Sequence, residues 1–217
     1  IEGWTGMRKY TQLILDLDGT VYLSGVPIGP VIDHLNHFVA IGGRLLILTN
    51  NTSVSKSTYQ RKLELLGLNI SLSQIVSPVD IAGSYLRKIR GERPQGFILG
   101  TDDLKRELAI EYGVQHTHEN VEFVLVAFDK SVTYTKLQIA CQLINKGTPY
   151  YITNIDIACP TQDGPIPDTG VLAKLLELVT GTKPLTHFGK PGPLMAEHLL
   201  SLVGGAEHTL LAGDRLY

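Results

Sequence analysis

The chain has 217 residues, of which 43% are hydrophobic and 18% are charged, and its formal net charge is −2. A chain of this size can bury a core as one large domain or as two small ones. The near-neutral charge does not predict a surface for nucleic acid. No apolar run approaches the length of a membrane-spanning helix and the N-terminus lacks a signal-peptide pattern, so we expect no membrane partner.

Two further features concern the compartment and the chain start. Residues 1–6 precede Met7, the more natural first residue, so we expect them to be a remnant outside the native sequence. The two cysteines, Cys141 and Cys159, are too few for a disulfide framework and lack the CxxC spacing. A reducing, cytoplasmic location is therefore predicted.

A short apolar segment near the N-terminus, Leu13–Leu17, contains Asp16 and leads to Asp18 before the chain turns at Gly19. This pattern is typical of a buried parallel strand. Open α/β sheets bind ligands at the carboxyl ends of such strands. Two carboxylates two residues apart on an extended segment point the same way, and a cation or a shared proton must relieve their repulsion. We therefore predict a functional site here rather than an acidic turn.

The next apolar segment, Leu45–Leu48, runs directly into Thr49-Asn50-Asn51. Small hydrogen-bonding residues at a strand exit can cap the helix that follows, which we expect over 55–66. They can also donate to an anion held at that helix N-terminus. The local pattern leaves both readings open.

Strands and helices alternate along the rest of the chain, which predicts a doubly wound parallel sheet of the α/β class. The stretch Ala158–Gly170 is rich in Pro, Asp and Gly and is predicted to be a loop. The further predicted strands are Ile75–Val76, Phe97–Leu99, Val121–Phe128, Tyr150–Ile152 and Thr209–Ala212.

The polar segment Arg90–Gln95 is the best candidate for a domain boundary. The distance in sequence from Asn51 to Lys190 is far greater than one crossover helix needs, so an inserted domain is expected there. The predicted organisation is a first part of a core over 7–93, an inserted α/β domain over 94–183, and a second part of the core over 184–217.

Two charged residues occur at element ends in the last part. Lys190 precedes a helix begun at Pro193, where it opposes the helix dipole, so a purely structural role is less attractive than usual. Asp214 follows the predicted strand Thr209–Ala212. Because the carboxyl ends of parallel strands meet at one edge, we expect both residues to lie near Asp16.

These segments resemble the motifs of one family. Asp16-Leu17-Asp18-Gly19-Thr20 resembles the first motif of the haloacid dehalogenase (HAD) superfamily of phosphohydrolases. Thr49-Asn50-Asn51 and Gly189-Lys190-Pro191 resemble the second and third motifs of its NagD-like or p-nitrophenylphosphatase-like subclass, type IIA, and Asp214 resembles the start of the fourth. The resemblance implies a Rossmann-like HAD core with an inserted α/β cap, and an Mg²⁺-dependent phosphatase acting on a small phosphorylated metabolite.

The family's roles transfer to the matching positions. Asp16 is the expected nucleophile, which forms an aspartyl phosphate, and Asp18 the expected general acid and base. Phosphoryl oxygens are expected to bind Thr49, Asn50 and Lys190, and Asn51 is expected to bind phosphate or only to orient its neighbours. The expected Mg²⁺ ligands are Asp16, the backbone carbonyl of Asp18, and Asp214.

The resemblance also concerns the chain end and the assembly. In the family, the fourth motif continues to a second aspartate, another strand and helices, so the resemblance implies that this chain, which stops at Tyr217, is truncated. Dimers formed through the cap occur in the family, which makes a homodimer an expectation as well.

Three alternatives remain. A phospho-acceptor signalling domain also uses strand-end aspartates, a Thr and a Lys with Mg²⁺, but the large insertion and the Asp-x-Asp-Gly-Thr order argue against it. A non-catalytic binding protein could use the same scaffold, because fold does not fix function. A dehalogenase would lack the second aspartate, so Asp18 favours a phosphatase.

Overall fold

The computed structural model describes residues 10–215 and contains two four-stranded sheets in which every strand pair is parallel. The first sheet has the order β12 (Thr209–Ala212), β1 (Gln12–Asp16), β4 (Arg44–Leu48) and β5 (Ile75–Val76). The second has the order β7 (Gln115–His116), β6 (Gln95–Leu99), β8 (Phe123–Val126) and β9 (Tyr150–Ile152).

Seven α-helices and two short hairpins complete the described part of the chain. The helices are α1 (Val31–Ala40), α2 (Lys56–Leu65), α3 (Pro78–Arg90), α4 (Asp102–Tyr112), α5 (Tyr134–Asn145), α6 (Thr169–Thr180) and α7 (Pro193–Val203). The antiparallel hairpins pair β2 (Tyr22–Leu23) with β3 (Val26–Pro27), and β10 (Ala158–Cys159) with β11 (Ile166–Pro167). A 3-10 turn spans Leu72–Gln74.

Strand β1 lies inside the first sheet, between β12 and β4. Its register pairs Leu15 with Ala212 on one side and Asp16 with Leu48 on the other. The three strands therefore end at nearly the same level. The residues that follow them, from Leu17, Thr49 and Gly213 onward, start from neighbouring points at one edge.

Alternate residues of the central strands face opposite layers of helices, as the two-residue period of a strand requires. Ile14 and Leu46 join a buried cluster with side chains of α3 and α7, whereas Leu15 and Leu45 join one with α1 and α2. The first cluster continues into the second sheet through residues such as Tyr151. The two sheets thus share part of one apolar core rather than being joined by linkers alone.

The carboxyl ends of the two sheets face each other. Thr52, after β4, accepts a hydrogen bond at Oγ1 from the backbone N–H of Phe128, after β8, at 3.1 Å. Asn154, after β9, donates from Nδ2 to the carbonyl oxygen of Asn50 at 2.8 Å. Polar groups of the second sheet therefore lie directly over the edge at which Asp16 and Asp18 were predicted to act.

The structure agrees with the predicted order of strands and helices and corrects several details. The predicted loop over 158–170 contains the hairpin β10–β11, and α6 already begins at Thr169, with Asp168 as its N-cap. The strand predicted over 121–128 spans only Phe123–Val126. Two-residue strands carry too few residues for a periodic pattern, which accounts for the missed hairpins and β7; β5, also two residues long, was predicted from its adjacent Ile75 and Val76.

The predicted domain boundaries stay a prediction. Residues 185–188, assigned to the second part of the core, form backbone hydrogen bonds with a strand of the inserted domain. Their backbone runs beside β9, where Leu185 N–H donates to the Tyr150 carbonyl at 2.9 Å and Phe188 N–H to the Ile152 carbonyl at 3.2 Å. The remnant predicted over 1–6 and the chain end at Tyr217 lie outside the described residues. Within those residues both cysteine thiols are free, and no helix has the length and apolarity needed to cross a membrane.

Candidate functional site

Asp16 is the last residue of β1, and its carboxylate has two donors. The side-chain ammonium of Lys190 lies 2.6 Å from Asp16 Oδ1, and the backbone N–H of Leu17 donates to the same oxygen at 2.9 Å. Burial raises the pKa of the Asp16 carboxyl above its usual range, and Lys190 opposes that rise. The structure therefore brings together the first acid and the lysine that the sequence placed far apart.

Asp214 reaches the same place from β12, and two glycines allow the approach. Its side chain lies beside that of Asp16, where it raises the pKa of the Asp16 carboxyl. A Cβ on Gly19 would lie 2.6 Å from Asp214 Oδ2, and Gly19 also has a φ of +90°, which side-chain-bearing residues rarely adopt. A Cβ on Gly213 would lie 3.0 Å from the Asp16 Cβ. The backbone is thus shaped to hold two acids side by side.

This pair of acids fits a divalent cation. Two adjacent carboxylates repel each other, and oxygen ligands of this kind are those that Mg²⁺ and Ca²⁺ prefer. Within residues 10–215, no three His, Cys, Asp or Glu side chains converge on a common point that could hold a metal ion. The donors that the structure brings together for a cation are therefore the carboxylates of Asp16 and Asp214.

The loop after β4 holds Asp18 in place. Asn51 Nδ2 donates to Asp18 Oδ2 at 3.2 Å, and Asn51 itself is fixed because its Oδ1 accepts from the backbone N–H and the hydroxyl of Ser53. The Asn51 N–H donates to Thr49 Oγ1 at 3.0 Å, which leaves the Thr49 hydroxyl proton for another acceptor. Burial raises the pKa of Asp18, and the Asn51 hydrogen bond opposes the rise. Asn51 thus acts on Asp18 as an orienting residue.

Asn50 joins the lysine loop to the first sheet. Its Oδ1 accepts from the backbone N–H of Lys190 at 2.8 Å, and its Nδ2 donates to the Lys190 carbonyl at 3.1 Å. The same Nδ2 lies 3.1 Å from Asp156 Oδ2. Gly189, next to Lys190, has no room for a side chain, since a Cβ would lie 2.5 Å from Asn50 Oδ1. The side chain of Asn50 therefore fixes the backbone from which Lys190 reaches Asp16.

Two residues of this network were not predicted as site residues. The carboxylate of Asp156 forms an ion pair with Arg215 at 3.1 Å, and Arg215 also donates to the Ala158 carbonyl at 2.7 Å. Both belong to stretches that the sequence pattern marked, the exit of β9 and the exit of β12. Their pairing across the two sheets depends on the tertiary structure and has no signal in the local sequence.

Six of the predicted residues line one small cavity. The seventh, Asp214, lies beside Asp16 but does not line it. The cavity measures about 20 Å³, which is room for a water-sized group. Its lining includes residues from the first sheet and its loops and from the hairpin β10–β11: Asp16, Asp18, Thr49, Asn50, Asn51, Lys190, Cys159 and Pro160. The arrangement places a water-sized space against one lysine and beside two partly buried acids.

Comparison with known proteins identifies relatives of this chain. A family model for haloacid dehalogenase-like hydrolases matches residues 13–115. A 5'-nucleotidase of Bacillus subtilis is 28% identical over 209 residues, covering 96% of this chain and 80% of that protein. The crystal structure of a 4-nitrophenylphosphatase from Thermotoga maritima is 35% identical with a TM-score of 0.89, covering 97% of this chain and 80% of that one.

A third similar structure contains a metal ion. The glycerol phosphate phosphatase of Mycobacterium tuberculosis, solved in complex with magnesium, is 26% identical with a TM-score of 0.86. The alignment covers 97% of this chain and 63% of that one. The same protein was also solved with calcium. The α/β fold class predicted from the sequence, a parallel core sheet with a cap, is confirmed by these neighbours.

Proposed function

The chain belongs to the HAD superfamily of hydrolases, in the NagD-like subclass IIA, and we propose that it is an Mg²⁺-dependent phosphatase of small phosphate monoesters. The observation that carries the proposal is the meeting of Asp16, Asp214 and Lys190 at one sheet edge, with Lys190 Nζ 2.6 Å from Asp16. Named relatives of the chain are phosphatases or nucleotidases, which supports the reaction class.

The first step is attack by Asp16. Its carboxylate oxygen forms a bond to phosphorus while the bond from phosphorus to the ester oxygen breaks, giving an aspartyl phosphate. The hydroxyl of Thr49 and the ammonium of Lys190 bind the phosphoryl oxygens and offset the negative charge that collects there. The Asn50 side chain maintains the position of Lys190, and the loop backbone at Asn50 is a further donor to the phosphoryl group.

Asp18 transfers the proton. In its protonated form it donates to the departing ester oxygen, which leaves as an alcohol. The resulting carboxylate then takes a proton from the water that attacks the phosphorus of the aspartyl phosphate, releasing inorganic phosphate and restoring Asp16. Burial, which favours the protonated form of Asp18, and the hydrogen bond from Asn51, which fixes its direction, support this role.

Mg²⁺ would be held by Asp16, Asp214 and the backbone carbonyl of Asp18. When bound, the ion supplies positive charge that lets an anionic nucleophile approach an anionic phosphate. The residues over 94–183 would act as a cap, because polar groups of the second sheet lie over the site. Cytoplasmic location, dimer formation through the cap and the lack of a nucleic-acid partner stay predictions.

The test is steady hydrolysis of p-nitrophenyl phosphate with Mg²⁺ and with EDTA. We expect many turnovers with Mg²⁺, loss of activity with EDTA, and a fall of at least about 10⁴-fold in kcat for Asp16→Asn. Asp33→Asn, at an exposed position on α1, is the matched control and should keep wild-type activity. Near-wild-type turnover by a folded Asp16→Asn protein would remove Asp16 as the nucleophile.

The same assay separates the phosphatase from the phospho-acceptor alternative. A phosphatase releases phosphate continuously, and acid quenching during turnover should trap a phosphorylated Asp16 that hydroxylamine cleaves. A phospho-acceptor domain would take up one phosphate per chain and then stop. A binding protein would give neither signal.

A further inference from the structure

A larger cavity adjoins the small one at the site. It measures about 320 Å³, which lies in the range of sites for small organic ligands. The two cavities share four lining residues: Asp18, Asn51, Cys159 and Pro160. Since Asp18 faces the ester oxygen in the proposed reaction, the large cavity is where the rest of the substrate, its leaving group, would lie.

Two lysines line this cavity from opposite parts of the molecule. Lys62 belongs to α2, beside the first sheet, and Lys130 follows β8 in the second. The charges of both act on Asp18, where they oppose the rise in its pKa that burial causes. A group bound next to Asp18 would therefore lie within the field of both ammonium groups.

Neither lysine has an acidic partner within 4.0 Å among residues 10–215. Lys62 lies over the ring of Tyr59, at 5.5 Å from its centroid, and has no acidic residue three or four positions away on its helix. Lys130 lies 5.2 Å from the centroid of Phe128.

The acid nearest to Lys130 in sequence, Asp129, is already paired. It is buried, forms an ion pair with Lys136 at 2.7 Å, and accepts from the backbone N–H of Ser131 at 2.8 Å. The positive charge of Lys130 at the cavity is thus not neutralised by its neighbour. Two ammonium groups at one cavity favour an anionic occupant.

We propose that Lys62 and Lys130 bind a second anionic group, a carboxylate or a phosphate, on the leaving group. The preferred substrates are then phosphate monoesters of acidic small molecules rather than of neutral alcohols. The buried rings of Tyr22 and Tyr59 form the apolar part of the wall against which the carbon skeleton packs. This inference rests on the proposed phosphatase function and specifies its substrate class.

The test uses esters matched except for charge. 3-Phosphoglycerate is compared with glycerol 3-phosphate, and fructose 1,6-bisphosphate with fructose 6-phosphate, so that the pairs separate a carboxylate from a phosphate. We expect kcat/KM to be at least about tenfold higher for the acidic member of one pair or both. Equal values within both pairs would overturn the proposal while leaving the phosphatase function intact.

Variants assign the preference to the lysines. Lys62→Gln and Lys130→Gln should each lower the acidic-to-neutral ratio of kcat/KM by roughly fivefold, through a higher KM for the acidic ester. Lys88→Gln, at an exposed position on α3, is the matched control and should change nothing. If a lysine variant slowed both esters alike, the lysine would act on Asp18 and not on the leaving group.

A binding measurement tests the role of the lysines independently of the phosphatase function. Calorimetry on Asp16→Asn should show tighter binding of 3-phosphoglycerate than of glycerol 3-phosphate, and the added Lys62→Gln change should remove the difference. If no ester is turned over, the proposed function fails, and this binding result still decides the role of the lysines. Equal binding of both esters would overturn that role.

Discussion

The carboxyl ends of the two parallel sheets both carry acids and amides, but these groups have different partners. At the first sheet, Asp16 and Asp214 lie against each other with Lys190 as the nearest cation. At the second, Asp129 is buried, neutralised by Lys136 and hydrogen-bonded by the backbone N–H of Ser131. An acid at a strand end therefore indicates a reactive site only where its neighbours leave part of its charge uncompensated.

The amides at the two edges differ in the same way. Asn154 is fully buried, and its side chain makes only structural hydrogen bonds. It donates to the Asn50 carbonyl and to Thr169 Oγ1, and it accepts from the Asp156 N–H. Asn51 donates to Asp18, a group with an exposed side toward two cavities. The second edge thus serves as a rigid support, and the first carries the chemistry.

The strongest test of this difference exchanges the acids one at a time. Asp18→Asn should lower kcat by roughly 10²- to 10⁴-fold, because the amide cannot take the proton from the water that attacks the aspartyl phosphate. Asp129→Asn should leave kcat within about twofold, since its carboxylate is committed to structural partners. Kinetics on p-nitrophenyl phosphate measure both. Similar losses in the two variants would contradict the division between the edges.

The same two variants should affect the free energy of unfolding in the reverse order, with the larger loss in Asp129→Asn. Asp129→Asn should lower the free energy of unfolding by about 2 kcal/mol, because it removes the charge that neutralises Lys136 from a buried position. Asp18→Asn should change the free energy of unfolding by less, or even raise it, since a partly buried acid is replaced by a neutral amide. Urea denaturation of the two variants beside the wild type measures this. A stable Asp129→Asn protein would mean that its ion pair contributes little.

A third test addresses a contact between the two regions away from the site. Glu107 of α4 accepts from the Lys56 N–H at the start of α2, at 3.3 Å to Oε2, and lies near Asp80 and Asp103. Burial raises the pKa of Glu107 to about 7. Because the folded protein holds this proton more tightly than the unfolded chain, stability should fall as the pH rises from about 4.5 to 7.

Glu107→Gln removes that titration and keeps an oxygen that can accept from Lys56. The variant should be more stable than the wild type at pH 8, by on the order of 1 to 2 kcal/mol, and similar to it near pH 4.5. Asp168, whose pKa burial raises to about 6, titrates in both proteins and cancels from the difference. Thermal melts across this range measure the effect, and parallel curves would rule out Glu107 as the source.

The smallest expected effect concerns Asn50, whose side chain hydrogen-bonds to Lys190 and to Asp156, after β9. Asn50→Ala removes both hydrogen bonds to the Lys190 backbone and the one to Asp156. We expect kcat to fall about fivefold, since Lys190 keeps its charge but loses its fixed position. Asn50→Asp, which keeps the acceptor for the Lys190 N–H, should recover part of the loss. If Asn50→Ala behaves like the wild type, the position of Lys190 does not depend on Asn50.

The sequence by itself determined the α/β class, the order of the long elements and the residues that gather at the first edge. This was possible because Asp16, Asp18, the Thr49 to Asn51 segment and Asp214 lie at or just after the end of an apolar strand, and parallel strands bring their ends to one edge. Lys190 was placed by its position before the helix at Pro193 and by the family resemblance. The structure places Asp16, Asp18, Thr49, Asn50, Asn51, Lys190 and Asp214 together; their catalytic roles stay predictions.

The tertiary structure alone decided the rest. Asp156, Arg215 and the hairpin β10–β11 lie at the site through contacts between residues far apart in the chain, which no local pattern encodes. The same holds for Lys62 and Lys130, two ordinary surface lysines in sequence that line one cavity only because the two sheets meet end to end. The local sequence pattern predicts helices and strands. Which charged side chains stay unpaired at a cavity depends on how those helices and strands pack together.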